Sequence, residues 1–273
     1  MPRRYRLGIP ALLIVGVYVV ALAVAAVIAM TTGDLGGLWR LTLFTEVDED
    51  AAATWPSVLT LLLAGMAWAW ALWQSLRGPM AGPPPELDRH TRRLRMALYA
   101  TAASWLLNPL VPSWPHWALV LDAVLMCVVV VLFQPVLRRS LEHADFALGA
   151  GVLGYGGSAV ITVIDVPDGL LPSGVGLICA LAALVWMVLI LRAQRWDGRW
   201  RRATFVYGIT SMVAPIVMAL VGPLLAAAGG LYDVLAATGA LTVIWLTRSA
   251  HELADPRHQP APPTPLAEQP PTP

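Results

Sequence analysis

The stretch WALVLDAVLMCVVVVLF, residues 117–133, is almost pure hydrocarbon with a single carboxylate, Asp122, set into it. The apolar run continues to Leu137, and a bilayer core about 30 Å thick takes roughly 20 helical residues. The length therefore points to a membrane span. Seven further segments qualify by the same measure: residues 9–30, 57–75, 96–113, 147–165, 174–191, 204–226 and 230–247. With 117–137 they make eight predicted spans.

The composition agrees. The chain has 273 residues, of which 58% are hydrophobic and 13% charged. A soluble domain averages about 45–50% apolar and about 25% charged residues. The mean hydropathy of +0.66 reflects apolar residues gathered in long blocks, which a bilayer explains and a soluble core does not. The first block resembles a signal peptide, but its apolar core from Ile9 to Met30 exceeds the roughly 7–15 residues of a signal h-region. It is expected to stay as an uncleaved first span.

Arginine sets the expected orientation. All eighteen basic residues are Arg, a bias that fits a GC-rich bacterial genome. Arg3, Arg4 and Arg6 precede span one; Arg77, Arg89, Arg92, Arg93 and Arg95 lie between spans two and three. Arg138 and Arg139 follow span four. Arg192, Arg195, Arg199, Arg201 and Arg202 separate spans six and seven, and Arg248 and Arg257 follow span eight. With eight spans all of these share one side, which the positive-inside rule makes cytoplasmic, and Arg40 alone falls outside. Both termini are then cytoplasmic, in the inner membrane of a bacterium. The first outer loop carries Glu46, Asp48, Glu49 and Asp50, and LGGLWRLTLF within it reads as an interfacial helix or a simple loop. Trp55, Trp114 and Trp117 outside, with Trp73, Trp196, Trp200 and Trp245 inside, form the expected aromatic belts. Trp68 and Trp70 lie deeper, where facing lipid or packing is expected.

The chain also repeats itself. Asp122 leads after sixteen residues to Arg138 in RRSLEHAD, and Asp233 leads after fifteen to Arg248 in TRSAHELAD. RRLRMALYATAAS runs toward Pro109, and RWRRATFVYGITS toward Pro215. These matches predict a four-plus-four duplication, with halves 1–145 and 146–255. An even number of spans in each half makes the repeat parallel. The polytopic domain covers residues 1–250, and the Pro-rich residues 256–273 are expected to be a disordered cytoplasmic tail.

Few residues offer chemistry. Asp122 and Asp233 stand about fifteen residues from their arginines, or roughly 23 Å at 1.5 Å per residue, near the outer edge of the hydrocarbon. There each reaches water or bonds a neighbouring helix; the sharper alternative pairs them as an outward-facing cation or proton site, with Arg40 and His116 nearby. Asn108-Pro109 is the other polar feature at depth, and Pro109 and Pro215 should kink their helices. Ala150, Gly154 and Ser158 mark a close helix contact. EHAD and HELAD lack the second His of a zinc signature and read as exposed helix ends, so no metal is expected. Cys127 and Cys179 stand apart and read as small buried hydrophobes.

No cofactor motif is present, and a net charge of +1 gives no reason to expect nucleic acid. The expected partners are the bilayer and another membrane protein or a second copy. The functional expectation is a non-catalytic accessory, sensory or assembly component. The alternatives are a small-solute or cation-coupled transporter using Asp122, Asp233, Asn108 and Arg40, and, last, an intramembrane enzyme acting on a lipid.

Overall fold

The computed structural model describes residues 5–42, 53–81, 86–107, 116–138, 140–168, 173–227 and 231–255. Among them there are ten α-helices, one π-helical turn and no strand. The helices are α1 (Gly8–Thr32), α2 (Gly36–Thr42), α3 (Trp55–Leu76), α4 (Arg89–Leu107) and α5 (His116–Leu137). They continue with α6 (Ala144–Gly151), the π turn Val152–Gly156, α7 (Gly157–Asp168), α8 (Ser173–Asp197), α9 (Arg202–Ala227) and α10 (Leu231–Glu252).

Local sequence explains the boundaries. Gly33 takes φ 79° and ends α1 in the left-handed conformation that glycine adopts without a Cβ clash. Thr54 caps α3 by accepting the Ser57 N–H, with Pro56 in the first turn where its missing N–H costs nothing. Proline at 215 does not end α9, which runs on to Ala227. Within LGGLWRLTLF, Gly36–Thr42 is a short helix rather than a plain loop, because Leu38 and Thr42 bury against α1 and α3.

The described residues of every predicted span are helical, yet five stretches among the described residues are long and apolar enough to cross a membrane by length and composition. They are Gly8–Thr32, Trp55–Leu76, Val120–Leu137, Ala144–Val163 and Gly174–Asp197. Helix α4 falls short because its first turns carry Arg89, Arg92, Arg93 and Arg95. In α9 the apolar stretch among the described residues is the shorter Arg202–Val217. The end of α10 is polar, with Arg248, His251 and Glu252. Helix surfaces carry the membrane signature outright: Leu13, Val17, Val20 and Val27 of α1 are all more than half exposed. A water-soluble protein seldom leaves so broad an apolar face uncovered.

Successive long helices run in alternate directions. Leu7 N–H donates to the Arg77 carbonyl at the start of α1 and end of α3. Ser104 of α4 meets Asp122 of α5, and Arg248 of α10 meets Thr204 of α9. Helices α3 and α10 are parallel neighbours, since a Cβ on Gly239 would touch Trp68 and Ser75 bonds Thr247. The consequence is that the arginine-bearing ends gather at one end of the bundle. There Arg199 donates to the Val136 carbonyl, Gln134 to Asp145, and Ser140 to Asp197.

Packing is close where α6, the π turn and α7 meet α8. A Cβ on Gly154 would lie 2.5 Å from the Ala183 backbone nitrogen, and one on Gly157 would lie 2.5 Å from the Cys179 sulfur. Of the small-residue face predicted at 150, 154 and 158, Gly154 is in close contact with α8, whereas Ser158 is exposed; the π turn at Val152–Gly156 lies within this stretch. The core centres on four aromatic rings, Phe133, Tyr155, Trp186 and Trp245, joined by T-shaped and stacked contacts. Such pairs add about 0.5–1.5 kcal/mol each beyond area burial. Trp245 was expected in an interfacial belt; it is fully buried here because α9 presents Gly208 beneath it. Trp200 is buried as well, whereas Trp196 is 73% exposed, as a belt residue should be.

Candidate functional site

Of the residues singled out from sequence, the described structure places the side chains of Asp122 and Arg40. The Asp122 carboxylate accepts a hydrogen bond from Ser104 at 2.5 Å and lies half-buried between α5 and α4. Asp233 is in the first turn of α10, and its side chain lies outside the described residues. Asn108 and the acidic positions 46–50 also lie outside them, as do residues 256–273. Arg40 is exposed on α2. Helix α4 packs against both α5 and α10, the two helices that carry the paired aspartates.

Polar groups converge instead at the arginine-rich end of α10. The hub is Arg248, 8% exposed. Its Nε donates to Thr204 Oγ1 at 3.1 Å, its Nη1 to Gln74 Oε1 at 3.2 Å, and its Nη2 to Glu252 Oε1 at 3.0 Å. The guanidinium also lies over the Tyr207 ring, whose hydroxyl accepts from Trp70 Nε1 at 2.8 Å. Glu252 uses its other oxygen to accept the Arg201 backbone N–H at 2.8 Å, and Arg201 Nη2 donates to Asp255 at 2.7 Å. Three helices are joined through one side chain.

This arrangement follows from burial chemistry. A guanidinium carries five donors and stays charged, so taking it out of water requires acceptors around its whole rim. Gln74, Thr204 and Glu252 supply them from α3, α9 and α10. A second buried set sits beside it: Trp245 Nε1 donates to Gln194 Oε1, and Gln194 donates onward to Ser249.

The N-terminal segment closes over the hub. Tyr5 pairs with Met80 in an isolated antiparallel bridge, and Gly78 makes the turn at φ 71°. Arg77 lies over the Tyr5 ring at 4.5 Å and donates to its hydroxyl at 2.9 Å. Burial pushes the Arg77 pKa down, and neighbouring Tyr5 and Glu252 oppose that shift. His251, 7% exposed, tilts against Tyr99. Its pKa is lowered to about 3 by desolvation first, then by the charges of Arg77, Arg95 and Arg248. His251 is therefore a neutral imidazole at neutral pH. Between these groups lies a cavity of about 30 Å³.

The twin sequences have different surroundings. In the first copy Glu142, His143 and Asp145 are exposed, as expected, and Glu142 and Asp145 line an open polar groove of about 750 Å³ with His90 and Arg138. In the second copy His251, Glu252 and Asp255 are buried, contrary to the expectation of an exposed helix end. The difference comes from Tyr5, the 77–80 turn and the start of α9, which cover the second copy. One sequence signal pointed there: Glu252 stands four residues after Arg248, an i,i+4 pair.

No family model, curated protein or solved structure matches this chain. The function has to be read from the geometry alone.

Proposed function

We propose that this protein is a non-catalytic component of a bacterial inner membrane, with eight spans and both termini in the cytoplasm. It serves as an accessory, sensory or assembly partner of another membrane protein or of a second copy. The observation that carries this reading is the commitment of buried and half-buried charge to helix–helix joints. Arg248 ties α3, α9 and α10 together, and Asp122 ties α5 to α4. In a bilayer, where apolar side chains gain little by leaving lipid, such polar joints and close small-residue contacts are what hold helices in register.

The eight-span topology is supported by the alternating helix directions and by the gathering of arginine-bearing ends at one end of the bundle. The two halves are read as an ancestral parallel duplication. On this reading the second copy of the Arg-Ser-Glu-His segment was enclosed as a joint while the first stayed at the surface.

The test is in-cell crosslinking followed by purification and native mass spectrometry. A complex of fixed stoichiometry with one membrane protein, or a defined homo-oligomer, is the expected result. A monomer without partners, together with a proton- or cation-dependent flux in proteoliposomes that Asp122→Asn and Asp233→Asn abolish, would overturn the reading in favour of transport.

A further inference from the structure

The cavity beneath Tyr5 is lined by residues with buried polar atoms that the joint does not use. The Nδ1 of His251 and the Nε of Arg77 are both buried and have no hydrogen-bond partner, and both residues line this cavity. The charge around it is also unbalanced. Arg248 is paired with Glu252 and Arg201 with Asp255, while among the described residues Arg77 has no carboxylate at ion-pair distance. Three guanidiniums against two carboxylates leave one positive charge in excess, and the histidine between them is neutral.

We propose that this cavity binds a phosphate group. Two oxygens enter between Arg77 and His251, and the rest of the group stays at the mouth beside Arg201, whose side chain is 40% exposed. The volume fits this mode: about 30 Å³ holds about two oxygen-sized groups at roughly 10–15 Å³ each, and not a whole organic molecule. The chemistry fits as well, because guanidinium forks match phosphate oxygens in geometry and charge. One phosphate oxygen accepts from Arg77 Nε, and another accepts from Nδ1 of His251 in the imidazolium that the anion favours, whose other ring nitrogen donates to the Ser75 carbonyl.

The depth suits a lipid. Arg77 is two residues beyond the predicted end of span two, and His251 four beyond span eight, so both sit roughly 3–6 Å outside the hydrocarbon, at headgroup level. Basic pockets at this depth on the cytoplasmic side are where anionic headgroups dock. A free phosphate has the same oxygens, and the experiment separates the two sources.

The full chain is purified in detergent and titrated with inorganic phosphate against chloride of equal ionic strength. It is also reconstituted in nanodiscs of phosphatidylcholine with and without phosphatidylglycerol. Unfolding temperature is followed by tryptophan fluorescence. A saturable rise with phosphate, with phosphatidylglycerol or with both supports the site, and the arm that responds names the source. Arg77→Gln should weaken the apparent affinity tenfold or more, while Arg92→Gln at the exposed start of α4 should leave it unchanged. Equal loss in both variants, or no rise in either arm, overturns the proposal. Should Arg77→Gln fail to fold, wild-type imidazole NMR decides: a bound phosphate must move the His251 titration upward, and an unmoved titration at saturating phosphate and phosphatidylglycerol contradicts the site.

Discussion

Arg248 and Glu252 form an ion pair one helical turn apart, Nη2 to Oε1 at 3.0 Å, with both side chains no more than 10% exposed. Each charge needs the other, since a buried ion that loses its partner costs about 3–5 kcal/mol. Arg248→Met should therefore destabilise the protein by about that amount. Arg248→Met with Glu252→Gln should be milder than Arg248→Met alone, because no lone charge remains and Gln still accepts the Arg201 N–H. Denaturant titration in micelles, run as a double-mutant cycle, checks this; additive losses would mean the two side chains are uncoupled.

Acid should act through His251. Its pKa falls from the usual 6.5 to about 3 in the folded protein. The unfolded chain thus binds more protons across that interval, and stability contributed by the neutral imidazole is complete above pH 6.5. It is lost progressively as pH falls from about 6.5 toward 3. Unfolding temperature measured against pH should drop more steeply in wild type than in His251→Gln. Parallel curves would show that the imidazole is not held neutral.

How far the sequence could lead is clearest at α10. Its helical run and an aspartate in its first turn were legible from apolar length and from the spacing to Arg248. The fate of Arg248 was not, because an arginine after an apolar run reads as a topology marker that stays in water. Whether such a residue is buried depends on Gln74 and Thr204, far away in the chain, and on Tyr5 folding back across the 77–80 turn. Asp122 lies near the N-terminal end of α5, as its spacing to Arg138 implies. Its acceptance of the Ser104 hydroxyl is one of the two bland outcomes foreseen for it, a bond to a neighbouring helix. The span count rested on length and charge together, and α4 shows the difficulty: its arginines occupy two turns of the helix itself.

Ser104→Ala leaves the Asp122 carboxylate without that hydroxyl, and hydrogen bonds to charged groups contribute about 1.5–3 kcal/mol. Asp122 is only half-buried, so the lower end of this range is expected. Ser104→Ala and Asp122→Asn should both lower the unfolding temperature. An unchanged value in both variants would remove Asp122 from the architecture and return it to the list of transport candidates.

The contact between the π turn and α8 tolerates no added methyl group. Gly154→Ala would drive its Cβ into the Ala183 backbone, and overpacking of this kind costs about 1–3 kcal/mol. Gly149→Ala one turn earlier meets open space and should be neutral or slightly stabilising, since Ala favours helix over Gly by roughly 0.5–1 kcal/mol. Thermal unfolding of the two variants side by side reads the difference. Equal stability would mean that α6–α7 and α8 are further apart than described.

The account rests above all on the membrane crossings and on which end of the bundle faces the cytoplasm. The direct measurement is single-cysteine labelling of intact cells with a membrane-impermeant maleimide, after Cys127 and Cys179 are replaced by alanine. Glu142→Cys lies at the arginine-rich end, where its side chain is 76% exposed, and Asp34→Cys lies exposed beyond the far end of α1. The account predicts labelling at position 34 in intact cells and at position 142 only once the cells are opened. Labelling at 142 with protection at 34, or equal labelling at both before lysis, would contradict it.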